Sequence, residues 1–166
     1  MSLASPFEIV CVTSAQDPAL DEAEMLAEIE LANGRRVPRV AAYLATRDPA
    51  HLRFIPGKEP VWYRLRAIRA RELNALVSDP LRPTGEELWT IAQRCLEGVR
   101  GATLLTLRED DFRVLDAKNG LRMLTDAAFD RVAEEIGIAG VRELGQAVLT
   151  RAQPRSALAP FDLRLG

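Results

Sequence analysis

The spacing of apolar residues along the chain predicts helices in four stretches. The clearest begins at Thr84, because Thr84 and Glu87 have the spacing of a capping box and a stripe of apolar residues at helical spacing follows. Glycine residues end or interrupt three of the four stretches, as is common for helices. The predicted helices are residues 20–33, ended by Gly34; residues 69–77; residues 84–100, ended by Gly101; and residues 125–151, interrupted at Gly137.

Alternating apolar and polar residues predict short strands elsewhere. In residues 61–68 the apolar side chains fall mainly on one face, whereas Trp62, Arg64 and Arg66 fall on the other. Together with residues 51–55 and a glycine-containing loop, this pattern predicts a β-hairpin with an arginine-bearing outer face. Residues 40–45 fit either a short strand or one helical turn. The other predicted strands are residues 7–13, 103–107, 112–115 and 121–124, the last two joined by an Asn-Gly turn.

The irregular alternation of these elements predicts an α+β fold. We expect small antiparallel hairpin and sheet elements, a majority of helix, and extended termini. The chain divides into an acidic N-terminal segment at residues 1–34, an α+β domain at residues 35–153, and an extended C-terminal tail at residues 154–166.

Composition excludes several classes of protein. The 166 residues carry a formal charge of −2 and are 48% hydrophobic, as in an ordinary globular protein. So small a net charge disfavours a protein that coats nucleic acid, and no apolar run approaches the roughly 18 residues that cross a membrane. Because the N-terminus lacks the basic region of a secretory signal, we expect a cytoplasmic chain in which Cys11 and Cys95 are free, buried thiols.

The charges are unevenly distributed. Residues 1–34 hold seven acids and no Lys or Arg, residues 35–71 hold ten bases and two acids, and residues 72–166 hold twelve bases and fifteen acids. The three parts therefore carry −7, +8 and −3. Such asymmetry bears on the choice of partners. Three interpretations are open: the segments neutralise each other within one fold, the acidic arm of one copy lies on the basic block of the next, or the basic block contacts nucleic acid.

No motif in the chain indicates catalysis. The single histidine, His51, has no nucleophile motif to accompany it. The carboxylates at residues 109–111 are consecutive rather than spaced as in a calcium loop, and no glycine-rich phosphate-binding loop is present. We therefore expect no enzyme, no catalytic residue, no cofactor and no metal, although an active site built only from Asp, Glu and Arg is left open.

A segment in the middle of the chain carries a family resemblance. Residues 53–66 read Arg-Phe-Ile-Pro-Gly-Lys-Glu-Pro-Val-Trp-Tyr-Arg-Leu-Arg, and residues 69–73 follow as Arg-Ala-Arg-Glu-Leu. This segment resembles small proteins encoded among bacteriophage tail-assembly and structural genes, in which such a motif opens a domain with helices behind it. The acidic N-terminal segment departs from that pattern. The resemblance implies a protein–protein function and supplies no family site residues.

These observations lead to one expected function and one alternative. We expect a non-enzymatic bacteriophage structural or assembly protein of the tail or head–tail region, present in the virion or the host cytoplasm. Its expected partners are other phage structural subunits, with copies of itself among the candidates, rather than nucleic acid or a membrane. The alternative is a small bacterial regulatory module that binds nucleic acid through residues 35–71. The candidate interface residues are Trp62, Arg64, Arg66, Phe161 and Leu163.

Overall fold

The computed structural model describes residues 9–152, which form five helices and seven strands in an α+β arrangement. The strands are β1 (Ile9–Val12), β2 (Glu28–Glu30), β3 (Arg36–Pro38), β4 (Val61–Arg66), β5 (Leu96–Gly101), β6 (Phe112–Asp116) and β7 (Leu121–Leu124). The helices are α1 (Glu22–Leu26), α2 (Arg39–Thr46), α3 (Ala70–Leu76), α4 (Gly85–Cys95) and α5 (Asp126–Ala152), and short 3-10 turns lie at Pro49–His51 and Glu109–Asp111.

The predicted majority of helix is wrong. Helices hold 44% of the described residues and strands hold 23%. The difference arises because two stretches that were assigned to helices contain strands, β2 in residues 20–33 and β5 in residues 84–100. Of the termini that we expected to be extended, residues 1–8 and the whole tail at residues 154–166 lie outside the described residues.

β4 is the central strand of the largest sheet. The strand order is β1-β4-β5, and both neighbours run antiparallel to β4. One face of this sheet, which includes Val12, Tyr63 and Leu65, belongs to the main hydrophobic core, and α4 and α5 contribute to the same core through Ile91 and Phe129. Burying one face of an antiparallel sheet under helices is the usual way to build an α+β core.

Two glycines determine how α5 packs. Gly137 has φ of +76° and interrupts the helix, as the sequence predicts, so that the helix continues in a second direction. Gly145 lies in the second half, where a Cβ atom would overlap the carbonyl oxygen of Leu88 in α4. The two helices can approach this closely only because residue 145 has no side chain.

The sequence predicts the start of α4 correctly but not its end. The Thr84 hydroxyl accepts a hydrogen bond from the Glu87 amide at 3.1 Å, and the Glu87 carboxylate accepts one from the Thr84 amide at 2.8 Å. The helix nevertheless ends at Cys95, and residues 96–101 join the sheet as β5. Pairing with β4 overrides the local helical pattern in these last residues.

The predicted helix over residues 20–33 is mostly wrong. Only α1 is helical, with the Asp21 carboxylate accepting a hydrogen bond from the Glu24 amide. Residues 28–30 form β2, which pairs with β3 across a turn at Gly34. This hairpin spans the expected boundary at residue 34, and β1 lies in the same sheet as β4.

The predicted hairpin over residues 51–68 is also wrong. β4 forms as expected, but its partners are β1 and β5, whereas residue 54 makes only an isolated bridge to Leu20. Long-range pairing gives β4 a neighbouring strand on both sides, whereas a local hairpin gives it only one.

The remaining predicted elements have mixed outcomes. Residues 103–107 were predicted to be a strand and are not one. Residues 40–45, which the sequence left open, lie in α2, and β1, β6, β7 and α3 occur where strands or a helix were predicted.

Candidate interaction surface

The structure separates the three candidate residues that were predicted to share the outer face of β4. Trp62 is half-buried, and its ring meets the ring of Phe54 edge to face with centroids 5.9 Å apart. Arg64 is exposed on the outer side of the sheet, where it lies beside Gly98 of β5. Arg66 is only 4% exposed, so the prediction that it lies on an exposed face is wrong. The candidates Phe161 and Leu163 lie outside the described residues.

Arg66 is buried because it belongs to an ion cluster around Glu72, at the start of α3. The Glu72 carboxylate accepts two hydrogen bonds from Arg66, at 2.8 and 2.9 Å, and one from the Arg69 amide at 3.2 Å. Arg94 of α4 lies 3.3 Å from the same carboxylate. Burial raises the pKa of Glu72, but the hydrogen bonds and charge of Arg66 outweigh it and hold that pKa at about 2. The cluster ties α3 to β4 and α4 and leaves Arg66 little capacity for a partner.

A second ion cluster surrounds Glu143, in the second half of α5. Its carboxylate accepts hydrogen bonds from the Ser14 hydroxyl at 2.6 Å, the Ala15 amide at 2.8 Å and the Arg47 guanidinium at 3.0 Å. Tyr43 is fully buried beside it and donates a hydrogen bond to the Thr13 carbonyl at 2.7 Å. Burial raises the pKa of Tyr43, so it remains a neutral donor. The cluster fastens the loop after β1 to α5.

A groove of 520 Å³ opens beside this anchored loop, between the loop, α1 and α2. Its apolar walls include Leu20, Met25 and Val40. These residues also belong to a small second core cluster, against which Trp62 packs. The candidate residue Trp62 therefore lies in the layer that supports the groove rather than on a free sheet face.

The groove has an exposed apolar edge and two acidic residues in its lining. Leu26 lines it and is 61% exposed, although most large apolar side chains of the described chain are buried or half-buried. Asp17 and Glu22 also line it. The Asp17 carboxylate is held in place because it accepts hydrogen bonds from the Ala19 and Val61 amides, at 2.8 and 2.9 Å. This arrangement suits an apolar segment that carries positive charge.

Sequence reasoning missed this groove. Four of the lining residues fall in the helix that was predicted over residues 20–33, in which Met25 and Leu26 would belong to one ordinary apolar stripe. The short α1 and the turn into β2 instead bury Met25 and leave Leu26 exposed. The acidic residues around Leu26 were the only local signal of an exposed apolar position.

Part of the basic block at residues 35–71 is neutralised inside the fold. Four of its arginines pair with carboxylates, and only one of these carboxylates belongs to the acidic segment at residues 1–34. The pairs are Arg36–Glu28 at 3.4 Å, Arg47–Glu143 at 3.0 Å, Arg66–Glu72 at 2.8 Å and Arg69–Asp116 at 3.9 Å. The interpretation that the two segments neutralise each other within one fold therefore applies only to the Arg36–Glu28 pair, because the acids of the other three pairs come from residues 72–143.

Across residues 9–152, no group of three or more His, Cys, Asp or Glu side chains is arranged to hold a metal ion. No helix in this part of the chain is long and apolar enough to span a membrane. Cys11 and Cys95 are free thiols, Cys95 fully buried and Cys11 partly so, and burial raises the pKa of Cys95 to about 12. Cys95 is therefore an unreactive core residue.

Comparison with known proteins adds no relative: no family model, curated protein or solved structure matches this chain.

Proposed function

We propose that this protein is a non-enzymatic structural or assembly protein of a bacteriophage tail or head–tail region, and that it acts through contacts with other protein subunits. The phage assignment comes from the motif at residues 53–66. The observation that carries the protein–protein function is the groove, with its apolar walls, its exposed Leu26 and the acidic Asp17 and Glu22.

The groove defines the chemistry of the partner. A volume of 520 Å³ accepts a few side chains rather than a whole domain. The apolar walls favour leucine or aromatic anchors, and the acidic residues favour a neighbouring Arg or Lys. The chain's own tail contains such a sequence, Phe161-Asp162-Leu163-Arg164. The tail of a neighbouring copy is therefore one segment that the groove would accept, together with similar segments of other phage subunits.

The pairing of arginines favours a protein partner over nucleic acid. A nucleic-acid module needs free cations to neutralise phosphates. Four of the ten bases in residues 35–71 already pair with carboxylates, and the Arg47 and Arg66 side chains are each 3% exposed. The positive charge that this segment can present to a phosphate backbone is correspondingly reduced.

The proposal can be tested by asking whether the chain copurifies with phage particles or tail intermediates. The tagged full-length chain is expressed in cells that produce the phage encoding it, particles and tail intermediates are purified by density gradient, and the chain is quantified by mass spectrometry. We expect the wild-type chain to copurify with one of these fractions. Leu26→Asp should lose that association because it places a charge at the apolar edge of the groove. Leu81→Asp is the matched control, since Leu81 is 81% exposed and is not a groove residue.

Each outcome decides the proposal. Circular dichroism first establishes that both variants are folded. Association that is lost only in Leu26→Asp supports the groove as the contact. A wild-type chain that is absent from particles and intermediates, or that cofractionates with nucleic acid in a salt-dependent way, overturns the assembly function. Equal association of both variants retains the function and overturns the groove.

A further inference from the structure

The groove between the loop after β1, α1 and α2 carries an apolar surface that the described residues leave exposed. Leu26 lines it and is 61% exposed. Leu44 is 43% exposed and follows Val40, a lining residue, by four positions in α2, so the two side chains lie on the same face of that helix. The apolar surface therefore continues along α2 beyond the groove. Contiguous exposed apolar surface of this kind marks a contact site for another segment or molecule.

The charge of the groove is negative. Asp17 and Glu22 line it, and none of its described lining residues is Lys or Arg. Within residues 9–152, neither carboxylate has an ion-pair partner. Glu22 and Leu26 are four positions apart in α1, so an acid lies beside the exposed leucine. The groove therefore suits an occupant with several apolar side chains and a positive charge among them.

Two segments of the chain lie outside the described residues, and only the C-terminal one carries basic side chains. Residues 1–8 contain no Lys or Arg, whereas residues 153–166 contain two arginines and one acid. The second arginine belongs to the sequence Phe161-Asp162-Leu163-Arg164-Leu165. Apolar and charged residues alternate there, so an extended backbone puts the three apolar side chains on one face. This segment matches the groove both in its apolar side chains and in the charge of Arg164.

The end of α5 lies close enough for this segment to reach the groove. The Glu143 carboxylate of α5 accepts a hydrogen bond at 2.8 Å from the amide of Ala15, which lines the groove. Ala152, the last residue of α5, follows Glu143 by nine helical positions. Nine helical residues extend about 14 Å, whereas the eight residues 153–160 can extend about 26 Å. Phe161 can therefore reach the groove of its own molecule.

The short connection also favours the groove of the same molecule over that of a neighbour. A short linker gives the segment that it tethers an effective concentration of about a millimolar. Free subunits in dilute solution present their segments to one another at far lower concentrations. Binding within one molecule is therefore expected before subunits assemble.

We propose that residues 161–165 occupy the groove of their own molecule in the free subunit. The apolar side chains of this segment pack against the apolar walls and against Leu26. Arg164 then lies beside Asp17 and Glu22. The tail covers the apolar surface until a segment of a partner replaces it, so it keeps free subunits from associating through the groove. The proposal deepens the proposed function and rests on it in taking the groove as the contact site.

Disulfide trapping in the full-length chain tests this contact. Leu26→Cys and Leu165→Cys are combined with Cys11→Ser, which removes the partly exposed native thiol, and the dilute protein is oxidised with glutathione disulfide. We expect a disulfide between residues 26 and 165 within the monomer, detected by non-reducing electrophoresis and by mass spectrometry of proteolytic peptides. In the matched control, Leu81→Cys replaces Leu26→Cys, because Leu81 is 81% exposed and does not line the groove.

The trapped species decides between the possible occupants. A monomer that is cross-linked at residue 26 and not at residue 81 supports the proposal. A cross-link that forms only between two molecules assigns the groove to the tail of a neighbouring copy and overturns the proposal. Equal trapping at residues 26 and 81, or trapping at neither, also overturns it.

Competition with a peptide gives a second test. A fluorescent peptide with the sequence of residues 158–166 is titrated with the full-length chain and followed by anisotropy. Leu163→Asp should bind this peptide about tenfold more tightly than the wild type, because its own tail no longer fills the groove. Leu158→Asp is the control in the same tail and should bind as the wild type does. Adding Leu26→Asp to Leu163→Asp should abolish the binding.

The outcomes separate this proposal from the proposed function. Circular dichroism first establishes that each variant is folded. Equal affinity of the wild type and Leu163→Asp for the peptide overturns the occupancy of the groove by the tail. The particle experiment measures a different property, the association of the whole chain with phage fractions. A wild-type chain that copurifies with particles but shows no trapping at residue 26 retains the assembly function and overturns only the occupancy.

Discussion

Arg66 and Glu72 form a doubly hydrogen-bonded ion pair in the interior, with Nη1 2.8 Å from Oε1 and Nη2 2.9 Å from Oε2. The pair joins the last residue of β4 to the first turn of α3, across a connection of three residues. The two side chains are 3% and 10% exposed. Each charge therefore depends on the other for compensation, and removal of one leaves the other buried without its main partner.

Arg66→Ala should lower the free energy of unfolding by about 3 kcal/mol, because the Glu72 carboxylate then loses the two hydrogen bonds from Arg66 in a largely buried site. Arg64→Ala is the control on the same strand: Arg64 is exposed, and such changes usually alter stability by less than about 0.5 kcal/mol. Urea unfolding of the two variants measures the difference. Equal midpoints would mean that the pair contributes nothing to the fold.

The same cluster predicts a loss of stability in acid. The pKa of Glu72 is about 2 in the folded protein, below its ordinary value of 4.5. Ionised Glu72 therefore stabilises the fold fully above pH 4.5, and this contribution disappears as the pH falls toward 2. We expect the unfolding midpoint of the wild type to fall across this window. Glu72→Gln should be less stable at neutral pH and show a flatter profile, whereas the exposed Asp130→Asn should retain the wild-type slope.

The features that the sequence predicts correctly are decided within a few residues. The start of α4 depends on Thr84 and Glu87, three positions apart, and the β6–β7 hairpin depends on an Asn-Gly turn. The break at Gly137 is equally local. In each case the backbone conformation depends on side chains that are already neighbours in the chain, so no knowledge of the remaining fold is needed.

The features that the sequence does not predict depend on distant partners. The alternating pattern of β4 identifies a strand but does not identify β1 and β5 as its neighbours. The same pattern places Arg66 on the outer face of the sheet. Only the folded structure shows that α3, through Glu72, covers this face at Arg66. The groove escaped prediction for the same reason, since its walls come from separate segments that meet only in the folded chain.

The Thr84 cap should contribute about 1 kcal/mol to the free energy of unfolding. Thr84→Ala removes the hydroxyl that accepts a hydrogen bond from the Glu87 amide, and loss of such a cap typically costs this amount. Thr90→Ala is the matched control inside α4, where alanine has the higher helix propensity and the change should be neutral or stabilising. Thermal unfolding followed by circular dichroism compares the two. A lower midpoint for Thr90→Ala than for Thr84→Ala would contradict the assigned cap.

The close approach of α4 and α5 should make residue 145 intolerant of any side chain. A Cβ atom at Gly145 would overlap the Leu88 carbonyl oxygen, which is backbone and cannot rotate away. Gly145→Ala should therefore force the helices apart and lower the free energy of unfolding by about 1–3 kcal/mol, the usual cost of overpacking a core. This runs against the intrinsic preference of a helix for alanine over glycine, which alone would stabilise the variant.

A substitution at the neighbouring residue, Gln146, distinguishes the steric overlap from the helix preference for alanine. Gln146 is exposed on the same turn of α5, so Gln146→Ala places the same alanine side chain in the helix without a steric clash and should leave stability within about 0.5 kcal/mol of the wild type. Urea unfolding of both variants gives the comparison. If Gly145→Ala proves as stable as Gln146→Ala, the helices do not approach each other at Leu88 as the structure places them. If it is destabilised, Gly145→Val should be destabilised further, because its larger side chain must displace the same carbonyl.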